Sequence, residues 1–239
     1  MRLLDALRGF SLVSMVCFHL CYDLVYLYGV SIAWFRPPLQ DIWRSSISWT
    51  FLLLAGIMCS LSRSNLKRAA KYGAFALAIW LITSIAAVDA PINFGIIYCM
   101  AFSTFVVWVL ERCHAVPCGP LCALVFFVLF LFAYRIPQGY VGIGPATFAV
   151  PRALYEGNAL SFLGFPGPTF FSSDYYPPLP FTLLYLSGCS LGRWWRKTGF
   201  PSALTVYGCV PLEFIGRHSL LVYAIHQPVL LGILYLAFG

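Results

Sequence analysis

Charge is scarce in this chain. Asp, Glu, Lys and Arg make up 10% of 239 residues and only 8 are acidic, against 61% hydrophobic residues and a mean hydropathy of +0.83. That balance excludes an ordinary soluble globular domain, in which about a quarter of residues are charged. No small-residue cleavage pattern follows the first apolar run, so a retained first helix is expected rather than a signal peptide. Polar linkers and internal repeats are missing too, which points to one domain over residues 1–239. The nine cysteines lie mostly in apolar runs, and no paired CxxC motif accompanies Cys118 and Cys122. Buried thiols are therefore expected, with no disulfide framework and no metal site. A net charge of +7 occurs without any nucleic-acid motif, and loop bias in a membrane protein explains it better.

What is present is a series of long apolar runs. A membrane span takes about 17–25 mostly apolar residues, and by that rule helices are expected near 8–29, 43–62, 70–88, 94–110, 118–134, 178–193 and 219–238. The fold class is all-α, a polytopic transmembrane bundle of about seven spans. With the N-terminus in the cytoplasm, eleven of the fifteen Lys and Arg residues fall on that side, and only Arg36, Arg44, Arg135 and Arg152 on the other. That is the bias cytoplasmic loops carry. Residues 200–216 are apolar but short and broken by Pro211 and Glu213, which suggests an interfacial or partly inserted helix on the cytoplasmic side. The long connection 135–177 lies on the outer side. Its Tyr, Phe, Gly and Pro content is unlike disorder, so it is expected to fold back over the mouth of the bundle.

Four places carry candidate chemistry. The first helix holds Arg8, His19 and Asp23 within its apolar run. Arg8 and His19 are eleven residues apart, about three turns plus 20°, and Asp23 follows His19 at i, i+4, so all three share a face. Arg8, at the cytoplasmic end, is a fixed cation able to meet a phosphate. His19 lies about 16 Å deeper, where a neutral imidazole serves as a base that Asp23 orients. The same residues also fit plain interhelical bonds and a snorkelling arginine. The second place is FSSDYYPPLPF at 171–181, where Asp174, Tyr175 and Tyr176 suit a hydroxylated or amine-bearing acceptor, or else an aromatic belt with a helix cap. The third is GRHSLLVYAIHQP at 216–228, which sinks His226 into the last span as a substrate contact or a packed histidine. The fourth is the cytoplasmic basic set, Arg63, Lys67, Arg68 and Lys71 between the second and third helices and Arg193, Arg196 and Lys197 after the sixth, suited to phosphate or to positive-inside anchoring alone.

LDALRGFSLVSMVCFHLCYD, SSDYYPPLPF with the following LSGCSLGRW, and IGRHSLLVYAIHQP together resemble bacterial members of the heparan-alpha-glucosaminide N-acetyltransferase catalytic-domain family. The Arg8–His19 spacing is also similar to the signature of transmembrane acyltransferases more widely. The resemblance implies a multi-pass enzyme of the bacterial inner (plasma) membrane. Such an enzyme takes an acyl group, typically acetyl, from cytoplasmic acetyl-CoA and passes it to a sugar amine or hydroxyl outside. Its partners are acyl-CoA, a glycan or amino-sugar acceptor and the lipid bilayer; no nucleic acid is implied, and self-association into a homo-oligomer is permitted. Carried onto this chain, Arg8 engages the CoA portion, His19 is the catalytic imidazole and Asp174 shapes the acceptor site.

Two rival classes share these features. A secondary transporter or channel for a small polar solute also uses intramembrane His, Asp and Arg, but the chain has no inverted repeat or matched pair of broken helices. A non-catalytic assembly subunit would tolerate loss of His19.

Overall fold

Apolar runs become helices because a backbone in lipid must satisfy its own hydrogen bonds. The computed structural model describes residues 1–86 and 88–239, and most of them are helical. All seven expected helices are present, with two short ones between the last pair. They are α1 (Arg2–Tyr26), α2 (Leu39–Cys59), α3 (Asn65–Ala86), α4 (Ile96–Arg112), α5 (Pro120–Ala133), α6 (Pro178–Thr198), α7 (Ser202–Val206), α8 (Val210–Arg217) and α9 (Ser219–Phe238). The third expected helix, 70–88, includes Ala87, which lies outside the described residues.

Among the described residues, five stretches are long and apolar enough to cross a membrane: α1, α2, α3, Pro120–Gln138 and α9. The other two expected spans differ for physical reasons. At 17 residues, α4 stands at the lower limit of a span, about 25 Å long. The end of α6 carries Arg193, Arg196 and Lys197. Much of the apolar surface on the long helices faces outward, including Ile85 at 82% exposure on α3 and Leu236 at 86% on α9. Surface of that kind belongs against lipid.

The chain forms two compact units, Met1–Phe51 with Gly199–Gly239, and Leu52–Thr198. In the first, Leu4, Ala6, Leu12, Met15 and Phe18 make the buried side of α1. Phe18 packs against Phe35 and Trp43, and Trp43 donates from Nε1 to Ser14 Oγ at 2.7 Å. Against α1 lies α8, at backbone contact: a Cβ on Gly9 would collide with the carbonyl of Leu212, and one on Gly216 with the carbonyl of Asp5. Small residues at a crossing allow such an approach. The stretch 200–216, expected as one interfacial helix, is thus α7 followed by α8, and α8 is an integral partner of α1.

In the second unit α3 packs on α4, and α6 packs on both α4 and α5. Its interior includes fully buried Tyr185 and Thr104, whose hydroxyls are 2.8 Å apart. The connection 135–177 is ordered by more than loops. Tyr140–Ile143 (β1) and Ala146–Ala149 (β2) pair as an antiparallel hairpin, with Ile143 opposite Ala146. Gly144, at φ 57°, opens the two-residue turn and Pro145 completes it, the glycine-first arrangement that tight hairpins favour. Short 3-10 turns follow at Arg152–Tyr155 and Asn158–Leu160. The fold is therefore mostly helical with one small hairpin, an addition to the all-α expectation.

Candidate active site

Helical periodicity turns Arg8, His19 and Asp23 toward one side of α1, and α9 meets that side. The two helices are joined by two adjacent pairs. The ring centroids of His19 and His226 lie 4.9 Å apart. One turn further along α1, both carboxylate oxygens of Asp23 accept from Gln227 Nε2, at 3.0 and 2.9 Å. Asp23 is 1% exposed and His226 9%. Phe18 sets its ring edge-on to His19, with centroids 6.0 Å apart. The imidazole expected to do chemistry therefore faces a second one, both held within the helices.

The other end of the stripe is cationic. Arg8 donates from Nη2 to Ser219 Oγ at 2.5 Å and keeps Nη1 3.7 Å from Asp5 Oδ1. Asp5 also receives Arg217 Nε at 3.4 Å, while Glu213 pairs with Arg2 at 3.0 Å and with Arg217 at 3.3 Å. Three arginines, together with the Met1 amine 3.8 Å from Asp5 Oδ2, thus surround two carboxylates, an excess of positive charge with guanidinium forks already fixed in place. A donor set of this kind suits an anion such as a phosphate. The partners Ser219, Arg217 and Glu213 all lie near the start of α9, about 200 positions from Arg8 in sequence.

The remaining expected site residues belong to the other unit. Arg63 and Lys67 are exposed beside the start of α3. Arg68 turns inward instead, with Nε donating to Tyr72 Oη at 3.2 Å and Nη2 to the Ala55 carbonyl at 3.4 Å. Of the basic residues on α6, Arg193 lies 3.6 Å from Glu111 and Arg196 donates to the Ser60 carbonyl at 2.8 Å.

Asp174 stands at the N-terminus of α4, where its Oδ2 accepts from the Ile96 amide at 3.0 Å. A carboxylate there satisfies an otherwise unpaired helix donor and complements the helix dipole. Around it, the Asn93 amide donates to Ser172 Oγ, Ser173 Oγ donates to the Ala90 carbonyl, and the Tyr176 amide donates to the Phe94 carbonyl. Tyr175 Oη donates to the Ser161 carbonyl at 2.6 Å. Burial, with the Tyr155 hydroxyl adding to it, pushes the Tyr175 phenol up from its ordinary value, so it remains a neutral donor. The segment expected to meet an acceptor is a hydrogen-bonded ledge stitched to the start of α4.

Residues 1–228 match the family model described as heparan-alpha-glucosaminide N-acetyltransferase, catalytic. The chain belongs to this family. Its members are membrane acetyltransferases, and acetyl-CoA is their acyl donor. No curated protein and no solved structure matches the chain. The matched region contains the α1 stripe and ends at Pro228, so it takes in the His226–Gln227 pair as well. Sequence reasoning singled out His226 but did not pair Gln227 with Asp23 or Ser219 with Arg8. The signal available for the first was its place directly after His226, ahead of a helix-disturbing proline.

Proposed function

We propose that this protein moves an acetyl group from cytoplasmic acetyl-CoA to a sugar amine or hydroxyl on the outer side of the membrane, with its N-terminus in the cytoplasm and His19 at the point of transfer. The observation that carries the reading is the pairing of α1 with α9. An imidazole facing a second imidazole, one turn from a carboxylate held by an amide, is what proton or acyl transfer requires of a buried site. Arg8, fixed by Ser219 and Asp5 in a cluster with net positive charge, meets the phosphates of the donor. Within the second unit, the exposed Arg63 and Lys67 are cations free to meet an anion, and Arg68 braces α3. On the acceptor side, Asp174, Tyr175 and Tyr176 give the outer segment a defined shape. The bilayer bias of Lys and Arg, eleven against four, supports the direction of transfer.

His19 acts either as the base that deprotonates the acceptor as it attacks the thioester, or as the nucleophile that carries the acyl group between donor and acceptor. Both roles make His19 indispensable. Acetyl-CoA-dependent acylation of envelope glycans, measured with the wild type and with His19→Ala, tests the assignment. Acylation is expected to vanish in the variant, and unchanged acylation would overturn the role.

A further inference from the structure

Two buried acceptors on α9 have no hydrogen-bond donor among the described residues: Nε2 of His226 and Oε1 of Gln227. Their orientation is fixed by what their other atoms do. Nδ1 of His226 lies 2.7 Å from the carbonyl of Tyr223. A carbonyl only accepts, so Nδ1 carries the hydrogen and Nε2 keeps a lone pair. Likewise, Gln227 gives its Nε2 hydrogens to the Asp23 carboxylate, which leaves Oε1 as an acceptor. Buried acceptors without donors cost free energy, and a catalytic role or a ligand that brings the donor is one reason a protein keeps them. Here they stand on consecutive residues, and the His226 ring lies against His19. An amine or a sugar hydroxyl is a ligand with hydrogens to give.

We propose that His226 is the base that takes the proton of the acceptor, and that His19 carries the acyl group. The inference rests on the acyltransferase reading above and divides its two roles between two rings. In the first half-reaction a ring nitrogen of neutral His19 attacks the thioester carbonyl. The C–S bond breaks with its electron pair on sulfur, and the proton on the other nitrogen of His19 makes the free thiol. In the second, the acceptor nitrogen or oxygen attacks the acyl carbon and its proton goes to Nε2 of His226. The acyl–nitrogen bond breaks with its pair returning to His19, and the proton then passes from His226 to His19, which restores both neutral rings.

The test separates the half-reactions in purified full-length protein supplied with radiolabelled acetyl-CoA, with glucosamine as acceptor. His226→Asn keeps an amide donor for the Tyr223 carbonyl and deletes Nε2, and its thermal unfolding shows whether it folds. The folded variant is expected to form as much labelled protein as the wild type, yet to pass label to glucosamine at least about 100-fold more slowly. Hydroxylamine, a small and unusually strong nucleophile that attacks an acyl-imidazole without a protein base and loses its proton to water, is expected to discharge the labelled variant at an undiminished rate. Glucosamine transfer at the wild-type rate would overturn the role of His226, as would loss of hydroxylamine discharge together with glucosamine transfer. A wild type that acetylates glucosamine without ever forming labelled protein would overturn the role given to His19 here. A wild type that neither labels itself nor acetylates anything would instead bring down the acyltransferase reading beneath both.

Discussion

Asp23 gives both of its carboxylate oxygens to a single amide, Nε2 of Gln227, 204 positions later in the chain. The contact fixes the rotation and register of α9 against α1, and it lies one turn from the facing rings of His19 and His226. At 1% exposure the Asp23 carboxyl depends on hydrogen bonds such as these, because a polar group taken out of water must regain its partners within the protein. Stability and chemistry therefore share one pair of side chains.

Removing the donor tests that dependence. Gln227→Leu keeps the approximate volume but strips the amide from Asp23, at an expected cost of about 1–3 kcal/mol in unfolding free energy. A double-mutant cycle with Asp23→Leu is expected to show a coupling of about 0.5–3 kcal/mol. Unfolding of the detergent-solubilised protein measures it, and strict additivity would mean that the pair contributes nothing as a pair.

The glycines at the α1–α8 crossing make a sharper structural prediction. Alanine at Gly9 or Gly216 drives a methyl group into a backbone carbonyl, and backbone yields less readily than the end of a side chain. Each substitution is expected to destabilise by about 1–3 kcal/mol or more. Gly73 on α3 is the control, because a Cβ there meets nothing within 4 Å. Gly73→Ala should be neutral or stabilising, by up to about 1 kcal/mol. Thermal unfolding of the three variants side by side decides it.

Much of this architecture is legible in the sequence, and the parts that are not fail for identifiable reasons. Apolar length announces α2, α3, α5 and α9, but hydropathy does not see where charged residues join a helix. Hydropathy starts the first helix at residue 8, whereas it begins at Arg2, since Asp5 and Arg2 are paired with Arg217 and Glu213 of α8. Similarly, α3 starts at Asn65, just after Ser64, whose hydroxyl accepts from the Lys67 amide at 3.4 Å. The hairpin strands are four residues each, too short for alternation to stand out. Periodicity along α1 puts Arg8, His19 and Asp23 on one face. It cannot reveal Ser219 or Gln227, because those contacts depend on how distant helices pack. Arg68 shows the converse: read as a loop cation, it lies on a helix face that turns it toward Tyr72 and Ala55.

Asp174 carries two separable expectations. As the cap of α4, its loss in Asp174→Ala is expected to cost about 0.5–2 kcal/mol, with Asn restoring part of it. Faster hydrogen exchange at the Ile96 amide is the local readout, since that amide gives its hydrogen to Oδ2. As an acceptor-side residue it should also alter the KM for the acceptor while leaving that for acetyl-CoA unchanged. A stability loss with both KM values intact would confine Asp174 to the cap.

The donor end of the site is tested by Arg8. Its guanidinium reaches Ser219 through one nitrogen and lies near Asp5 through another, a forked arrangement that an ammonium cannot reproduce. Arg8→Lys preserves the charge but loses the fork, so the cation is held less firmly where a phosphate would meet it. The expected result is a KM for acetyl-CoA raised roughly tenfold, about 1.4 kcal/mol of donor binding, with a smaller change in kcat. Ionic strength gives an independent check. If phosphates meet a partly exposed cation cluster, raising salt from about 0.1 M to 1 M shortens the screening length from about 10 Å to 3 Å, and the wild-type KM should climb with it. The Lys variant should show a shallower salt dependence than the wild type, because less of its donor affinity comes from a fixed charge. A variant with unchanged KM and the same salt response would show that Arg8 serves only to tie α1 to the start of α9.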